Sequence, residues 1–210
     1  MLARDGAAGL EFLMVRRSSR SSFVPDAFVF PGGTADPQDY ERSSHGWKER
    51  LHEFRATVNP ALPSSEEPIG ERDALALVHA AVRELSEEAN VAIAPSDMHV
   101  FSHWITPPTE PRRYNTIFFV ARAPQGALGI ADAHETHDAQ WMTASDALAR
   151  YTSGDLLLVY PTIKHFERVA HISNTAELLA FAQTKPIVTI MPSGSPTEYF
   201  VMPPELENQW

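Results

Sequence analysis

One long amphipathic helix, predicted at residues 71–89, constrains the fold more than any other feature of this sequence. Its apolar residues, among them Leu75, Val78 and Leu85, recur at helical spacing, which predicts one buried face. Asn90 follows the helix, and asparagine readily takes the left-handed conformation that ends helices. A single long helix of this kind needs a sheet or further helices to cover its apolar face.

Short apolar runs predict the strands around this helix. They lie at residues 11–15, 27–30, 99–105, 115–121, 139–142 and 187–191. Two further short helices are predicted at 162–170 and 176–182. Because strands and helices do not alternate regularly, the order favours an α+β fold with a mixed sheet, in a single domain spanning residues 1–210.

Composition and charge exclude several classes of function. Lys and Arg number 17 against 27 for Asp and Glu, and so acidic a chain is poorly suited to binding nucleic acid. The absence of cysteine excludes disulfides, thiolate catalysis and Cys-ligated metals. No run approaches the ~20 apolar residues of a membrane-spanning helix. Because the sequence shows no signal peptide and no peroxisomal tag, we predict a cytoplasmic protein without a membrane partner. Residues 1–3 resemble the end of a strand, so a longer natural N-terminus is expected.

Three carboxylates share one face near the C-terminal end of the predicted helix. Glu84, Glu87 and Glu88 are spaced i, i+3 and i+4, so their charges repel one another and oppose the helix dipole. A divalent cation removes this conflict, and carboxylates without His or Cys suit Mg²⁺ or Mn²⁺ better than Zn²⁺. The alternative is a solvated acidic face on which Arg83 pairs with Glu87.

Combined with Phe30-Pro31-Gly32-Gly33, this helix resembles the signature of the Nudix hydrolases. That signature runs Gly, five residues, Glu, seven residues, then Arg-Glu-aliphatic-X-Glu-Glu-X-Gly-aliphatic. The resemblance assigns Gly33 to the first glycine and Arg83 to the arginine. Asn90 replaces the later glycine, and the first glutamate, counted back from Arg83, falls on Leu75. The nearby acids that could substitute for it are Glu71 and Asp73.

Gly33 and Arg83 are separated by 36 more residues than the signature allows, which defines an insertion at residues 34–70. Such an insertion resembles the larger type of peroxisomal coenzyme A diphosphatase, as do the flanking segments 16–33, 103–119 and 135–141. A helical spacing of Trp47, Leu51, Phe54 and Val58 predicts that the insertion is partly helical. It is expected to cap the site or to bury a homodimer interface.

The resemblance implies a Nudix fold, with the mixed sheet sandwiched between helices, and metal-dependent cleavage of a pyrophosphate bond. The implied substrate is a nucleoside diphosphate linked to another group, with coenzyme A or an acyl-coenzyme A as first choice. A glycine is common in the coenzyme A signature where Asp26 stands, so nucleotide sugars and dinucleotides stay open. A non-catalytic, nucleotide-sensing Nudix-like module is the alternative from another class, favoured by Leu75 at the box position.

The resemblance also implies roles for individual residues. Glu84, Glu87 and Glu88 with Gly33 would bind the metal, and Arg83 would hold the glutamates in place. The general base is Glu84, Glu87 or Glu135, with Asp138 as an alternative to Glu135. The predicted substrate-binding residues are Arg16, Arg17, Arg20, Gly32, Gly33, Arg112 and Arg113. The arginines suit a substrate with extra phosphates; solvated surface charges are the alternative for them, and an exposed loop acid is the alternative for Glu135.

Overall fold

The computed structural model describes residues 1–21, 24–42, 47–54, 69–132, 136–194, 200–207 and 209–210. The strands in these ranges are β1 (Leu2–Gly6), β2 (Gly9–Arg17), β3 (Phe28–Val29), β4 (His99–Ile105), β5 (Asn115–Arg122), β6 (Thr136–Thr143) and β7 (Thr189–Ile190). The α-helices are α1 (Glu71–Ala89), α2 (Ala144–Ser153), α3 (Tyr160–Val169) and α4 (Thr175–Thr184). Short 3₁₀ segments lie at Pro37–Glu41, Lys48–Phe54, Pro95–Asp97 and Pro204–Leu206.

The strands form one mixed sheet in the order β3-β2-β1-β5-β4-β7, and β6 also pairs with β2. The pairs β1–β5 and β4–β7 are parallel, whereas β2 is antiparallel to each of β1, β3 and β6. This confirms the predicted α+β fold with a mixed sheet. The ends of β2 and β6 that meet at Arg17 and Thr136 define the end of the sheet where the candidate site lies.

Alternating residues of β2 face opposite sides of the sheet, as the pleat of a strand requires. Leu13 and Val15 belong to the core cluster that includes α1, whereas Phe12 and Met14 belong to the one that includes α2, α3 and α4. The sheet therefore lies between two helical layers, as predicted. Among the residues described, no helix has the length and apolar character needed to cross a membrane.

The long helix begins and ends where the sequence predicted, at Glu71 and Ala89. Asn90 closes it in the left-handed conformation, with φ 52° and ψ 39°, and its N–H bonds the carbonyls of Leu85 and Ser86. The other two predicted helices correspond to α3 and α4. The last predicted strand is shorter, at Thr189–Ile190, because only these residues pair with β4.

The insertion contributes a 3₁₀ segment, Lys48–Phe54, where its spacing predicted a helical face. Trp47 and Phe54 are buried, as that prediction required, and their rings pack 5.6 Å apart and against Phe119. Trp47 Nε1 also donates to the Pro95 carbonyl. Val58 lies outside the described residues. The insertion is therefore anchored in the core on the α1 side of the sheet.

The buried His165 of α3 is expected to make the fold sensitive to acid. Its ring is fully buried, with the Phe118 ring 4.3 Å away, and its Nε2 lies 2.6 Å from Ser102 Oγ. Burial lowers the pKa of His165 to about 3, against roughly 6.5 in an unfolded chain. The unfolded state therefore binds this proton first, and stability should fall as the pH drops below that unfolded value toward the folded one.

The free energy of unfolding is expected to fall by up to about 1.4 kcal/mol per pH unit between pH 6 and 4 from this group. Urea unfolding at pH 7, 6, 5 and 4 measures the slope. His165→Gln removes the titration, so the variant should be less stable at pH 7 but lose less stability on acidification. Equal slopes in the two proteins would contradict the prediction.

Candidate active site

Arg83 lies at the centre of an acidic cluster on α1. Its Nη1 donates to Glu84 Oε1 at 3.0 Å and to Glu87 Oε2 at 2.9 Å, so the pairing with Glu87 that the alternative interpretation included is present. Its Nη2 donates to the Thr34 carbonyl at 2.9 Å and to Asp39 Oδ2 at 3.0 Å. The bonds to Asp39, with those to the two glutamates, raise the pKa of Arg83 despite its burial. The guanidinium is thus a fixed cation that orients the carboxylates around it.

Asp39 is a site residue that the sequence analysis missed. Its side chain is 0% exposed and accepts bonds from both Nε and Nη2 of Arg83. Burial alone would raise the pKa of Asp39, but the bonds from Arg83 and from the Asp36 N–H lower it overall. Asp39 and Arg83 are therefore a buried ion pair.

The turn after β3 lies directly against the cluster. The Gly32 N–H donates to Glu88 Oε2 at 2.8 Å. A Cβ at Gly33 would lie 2.2 Å from Glu84 Oε1, far inside van der Waals contact. Glycine at this position therefore lets the backbone approach the Glu84 carboxylate.

The three glutamates of the cluster differ in their access to water. Glu88 is buried, while the side chains of Glu84 and Glu87 are 12% and 57% exposed. Thr136, the first residue of β6, donates from Oγ1 to the Glu88 carbonyl at 3.0 Å. Glu135 precedes Thr136 in the chain and lies outside the described residues. The end of α1 and the start of β6 therefore meet at one site.

Comparison with known proteins agrees with this geometry. A family model described as NUDIX domain matches residues 68–160. Residues 68–160 therefore match a Nudix domain. A crystal structure of a Nudix hydrolase from Alicyclobacillus acidocaldarius, 26% identical, superposes with a TM-score of 0.66 over 89% of this chain and 94% of its own. The acyl-coenzyme A diphosphatases NUDT19 of Xenopus laevis and Homo sapiens are 21% and 23% identical, over 85% and 83% of this chain. The chain spans 64% of the length of each.

Within the Nudix signature, Asp39 supplies the acid that appeared to be absent. Counted back from Arg83 the position falls on Leu75, a partly buried residue of the α1 core. Counted forward from Gly33 it falls on Asp39, after five intervening residues. Neither substitute considered from sequence contacts Arg83: Glu71 and Asp73 are exposed, and Asp73 bonds Tyr40. An aspartate therefore stands at the position of the signature's first glutamate, and the extra residues lie between Asp39 and Arg83.

The donor set of the Nudix box fits Mg²⁺ or Mn²⁺ chemically. Four carboxylates lie within 4 Å of the one guanidinium, those of Asp36, Asp39, Glu84 and Glu87, and Glu88 lies beside them. This excess of negative charge on oxygen donors suits a hard cation. In the part of the chain that the structure describes, no three acidic or histidine side chains already converge at metal-ligand geometry.

The arginines predicted to bind substrate each have a different partner in the structure. Arg16 pairs with Asp26 at 2.8 Å on the surface, and Arg17 donates to Ser21 Oγ at 2.7 Å. Arg113 donates to the Thr106 carbonyl at 2.8 Å, and Arg112 stacks over a tyrosine ring. The residues of each pair adjoin in sequence, one pair at the end of β2 and the other just before β5.

The two arginine pairs lie toward the same end of the sheet. Strand β2 runs antiparallel to β1, whereas β5 runs parallel to β1. The last residues of β2 and the first residues of β5 therefore lie at the same end of the sheet. Arg20 follows β2, where its N–H donates to Ser18 Oγ. His137, near the start of β6, bonds the same hydroxyl, and Asp138 stands opposite Arg16.

Replacing Gly33 with alanine should move the Glu84 carboxylate. The new methyl group would collide with the far end of a side chain and not with backbone, so we expect a loss of less than about 1 kcal/mol in stability. Hydrolytic activity should fall by at least about tenfold, since a small displacement of a catalytic group is costly. Gly70→Ala is the control, because the nearest atom to its added Cβ is 3.7 Å away. Full activity of Gly33→Ala would contradict the prediction.

Proposed function

We propose that this chain is a metal-dependent pyrophosphohydrolase that cleaves coenzyme A or an acyl-coenzyme A. The observation that carries the proposal is the Arg83-centred cluster, with Glu84 and Glu87 held on one side and the Gly32–Gly33 turn bound to Glu88. The matches to acyl-coenzyme A diphosphatases support the choice of substrate. Products would be adenosine 3′,5′-bisphosphate and phosphopantetheine or its acylated form.

Each residue of the cluster has a chemical task in this proposal. Glu84, Glu87 and Glu88 would hold Mg²⁺ or Mn²⁺, with the Gly33 backbone beside them, and the bound ion would offset the charge of the pyrophosphate. Arg83 fixes the directions of Glu84 and Glu87, and Asp39 fixes Arg83. The attacking water must lose a proton as it adds to phosphorus, and Glu84, Glu87 and Glu135 are the candidate acceptors.

The proposal assigns the 3′-phosphate of the coenzyme A to the arginine pairs. Arg16, Arg17 and Arg20 at the end of β2, or Arg112 and Arg113 before β5, would supply the planar donors that phosphate groups favour. Arg16 is an accessible candidate, because its ion pair with Asp26 lies at the surface, with side chains 46% and 45% exposed. Asp26 stands where a glycine is common in the coenzyme A signature. Because Asp26 occupies the Arg16 guanidinium, this ion pair would have to open before Arg16 could bind a phosphate.

The test is hydrolysis of a substrate panel by the purified protein with Mg²⁺, with Mn²⁺ and with excess chelator. The panel holds coenzyme A, an acyl-coenzyme A, ADP-ribose, NADH and a diadenosine polyphosphate. We expect metal-dependent release of adenosine 3′,5′-bisphosphate, abolished by the chelator. Faster turnover of another member of the panel would overturn the assignment of coenzyme A or an acyl-coenzyme A as the substrate. Binding without turnover of any member would favour the nucleotide-sensing module. The argument for that module was the apparent lack of an acid at the box position, and Asp39 weakens it.

A further inference from the structure

A cavity of about 440 Å³ lies apart from the residues of the carboxylate cluster. Its walls come from the 3₁₀ segment Lys48–Phe54, the start of β4 and the chain at and after the end of α4. The polar groups on these walls are His52, Glu53, His99, Gln183 and Lys185. None of them has a part in the proposed hydrolysis, so the cavity calls for an explanation of its own.

Lys185 is an amine on the cavity wall that has no carboxylate partner in the described ranges of the chain. Its Nζ donates to the Phe101 carbonyl and lies 4.6 Å above the Phe101 ring. Among the residues that the structure describes, no acidic oxygen lies within 4.0 Å of it, whereas Lys164 is paired with Glu167 at 2.6 Å. The Phe101 carbonyl and ring offset only part of the cost of burying a charge on Lys185, since neither carries a negative charge.

The charged and titratable neighbours of Lys185 favour its neutral form. Arg168 of α3 acts as a like charge, and Glu53 is engaged by Arg50 at 2.6 Å and by the Val100 N–H. Burial and Arg50 lower the pKa of His99, and His52 also lines the cavity. Burial first, and Arg168 second, lower the pKa of Lys185 to about 7. A substantial fraction of this amine is therefore unprotonated at neutral pH.

We propose that Lys185 is a nucleophilic amine that this cavity presents to acyl thioesters. Its Nζ attacks the thioester carbonyl carbon, an amide C–N bond forms, and the C–S bond breaks. The thiolate leaves, and the proton lost by the amine passes to water. The choice of a thioester rests on the proposed function, because an acyl-coenzyme A carries one. The nucleophilic amine is independent of that function, since it rests on the cavity that Lys185 lines and on the burial of its side chain.

The test uses the native protein and the acetyl thioester of N-acetylcysteamine, which has no pyrophosphate. The chain contains three lysines, Lys48, Lys164 and Lys185, so peptide mass spectrometry resolves acetylation at each. At pH 7.5, Lys185 should be acetylated at least about tenfold faster than Lys164, whose pKa is raised by its ion pair. The Lys185 rate should level off above about pH 8, while the Lys164 rate continues to rise.

Equal rates at Lys185 and Lys164, or a Lys185 rate that rises tenfold per pH unit up to pH 9.5, would overturn the proposal. Lys185→Arg is the control, because it removes the acetylated amine and leaves Lys48 and Lys164 in place. Because the reagent contains no pyrophosphate, labelling reports on Lys185 whether or not the chain hydrolyses coenzyme A. If no member of the substrate panel is hydrolysed but Lys185 is still acetylated, the proposed hydrolase would be overturned, and with it the choice of acyl-coenzyme A as the source of the thioester. The nucleophilic Lys185 would stand.

Discussion

Asp39→Asn is expected to lower the free energy of unfolding by about 1.5–3 kcal/mol, because it removes the buried carboxylate that accepts bonds from Nε and Nη2 of Arg83, while Glu84 and Glu87 still pair with Nη1. The side chain of Arg83 is 8% exposed, and that of Asp39, which precedes α1 in the chain, is fully buried against it. Hydrolytic activity should also fall, since Glu84 and Glu87 are oriented through Arg83. Urea unfolding and the rate of release of adenosine 3′,5′-bisphosphate measure the two effects.

Asp36→Asn is the matched control for this experiment. Asp36 lies in the same loop and approaches the same guanidinium, but at 3.7 Å and with its side chain 52% exposed. Water already screens that pair, so its loss should cost less than about 1 kcal/mol. Similar destabilisation by the two substitutions would mean that Asp39 has no special place in the Nudix box.

Glu87→Gln is expected to reduce turnover at least about a hundredfold while leaving the fold intact, since a positioned catalytic carboxylate contributes on that scale. The side chain of Glu87 is 57% exposed and bonds Arg83 Nη1. An amide keeps an oxygen for that bond but carries no charge for a metal ion and cannot accept the proton of the attacking water. Initial rates with saturating Mg²⁺, together with the unfolding midpoint, separate catalysis from stability.

Glu71→Gln, on the same helix, removes a carboxylate from the exposed first turn of α1, away from the Arg83 contacts. It should keep at least about half of the wild-type rate, as surface substitutions usually do. Retention of more than a tenth of wild-type turnover by Glu87→Gln would remove that residue from the catalytic candidates and leave Glu84 and Glu135.

The long helix could be predicted to the residue because local signals agree there. Its apolar residues follow a helical period, and Asn90 takes the left-handed conformation that its side chain tolerates. The pairing of Arg83 with Glu87 was predictable for the same reason, because residues four apart are neighbours on a helix. The mixed sheet followed from the irregular order of strands and helices.

The contacts of Asp39 could not be predicted by counting in one direction. It lies 44 residues from Arg83 along the chain, and only the fold shows that the two meet. Counting forward from Gly33 would have suggested it, but a spacing alone cannot distinguish a buried partner from a surface acid. Likewise, the helical spacing in the insertion did not reveal a 3₁₀ segment, because packing of Trp47 and Phe54 around Phe119 determines its geometry.

The ion pair between Asp39 and Arg83 has a consequence for how this chain tolerates changes in length. It closes a loop of 44 residues, and the entropy lost on closing a flexible loop grows only with the logarithm of its length. Doubling such a loop costs roughly 0.6 kcal/mol more, a fraction of what the buried pair is worth to the fold. Most of the inserted residues lie between Asp39 and Arg83. Lengthening or shortening the insertion outside its anchored segment, residues 47–54, should therefore leave the geometry of the carboxylates unchanged.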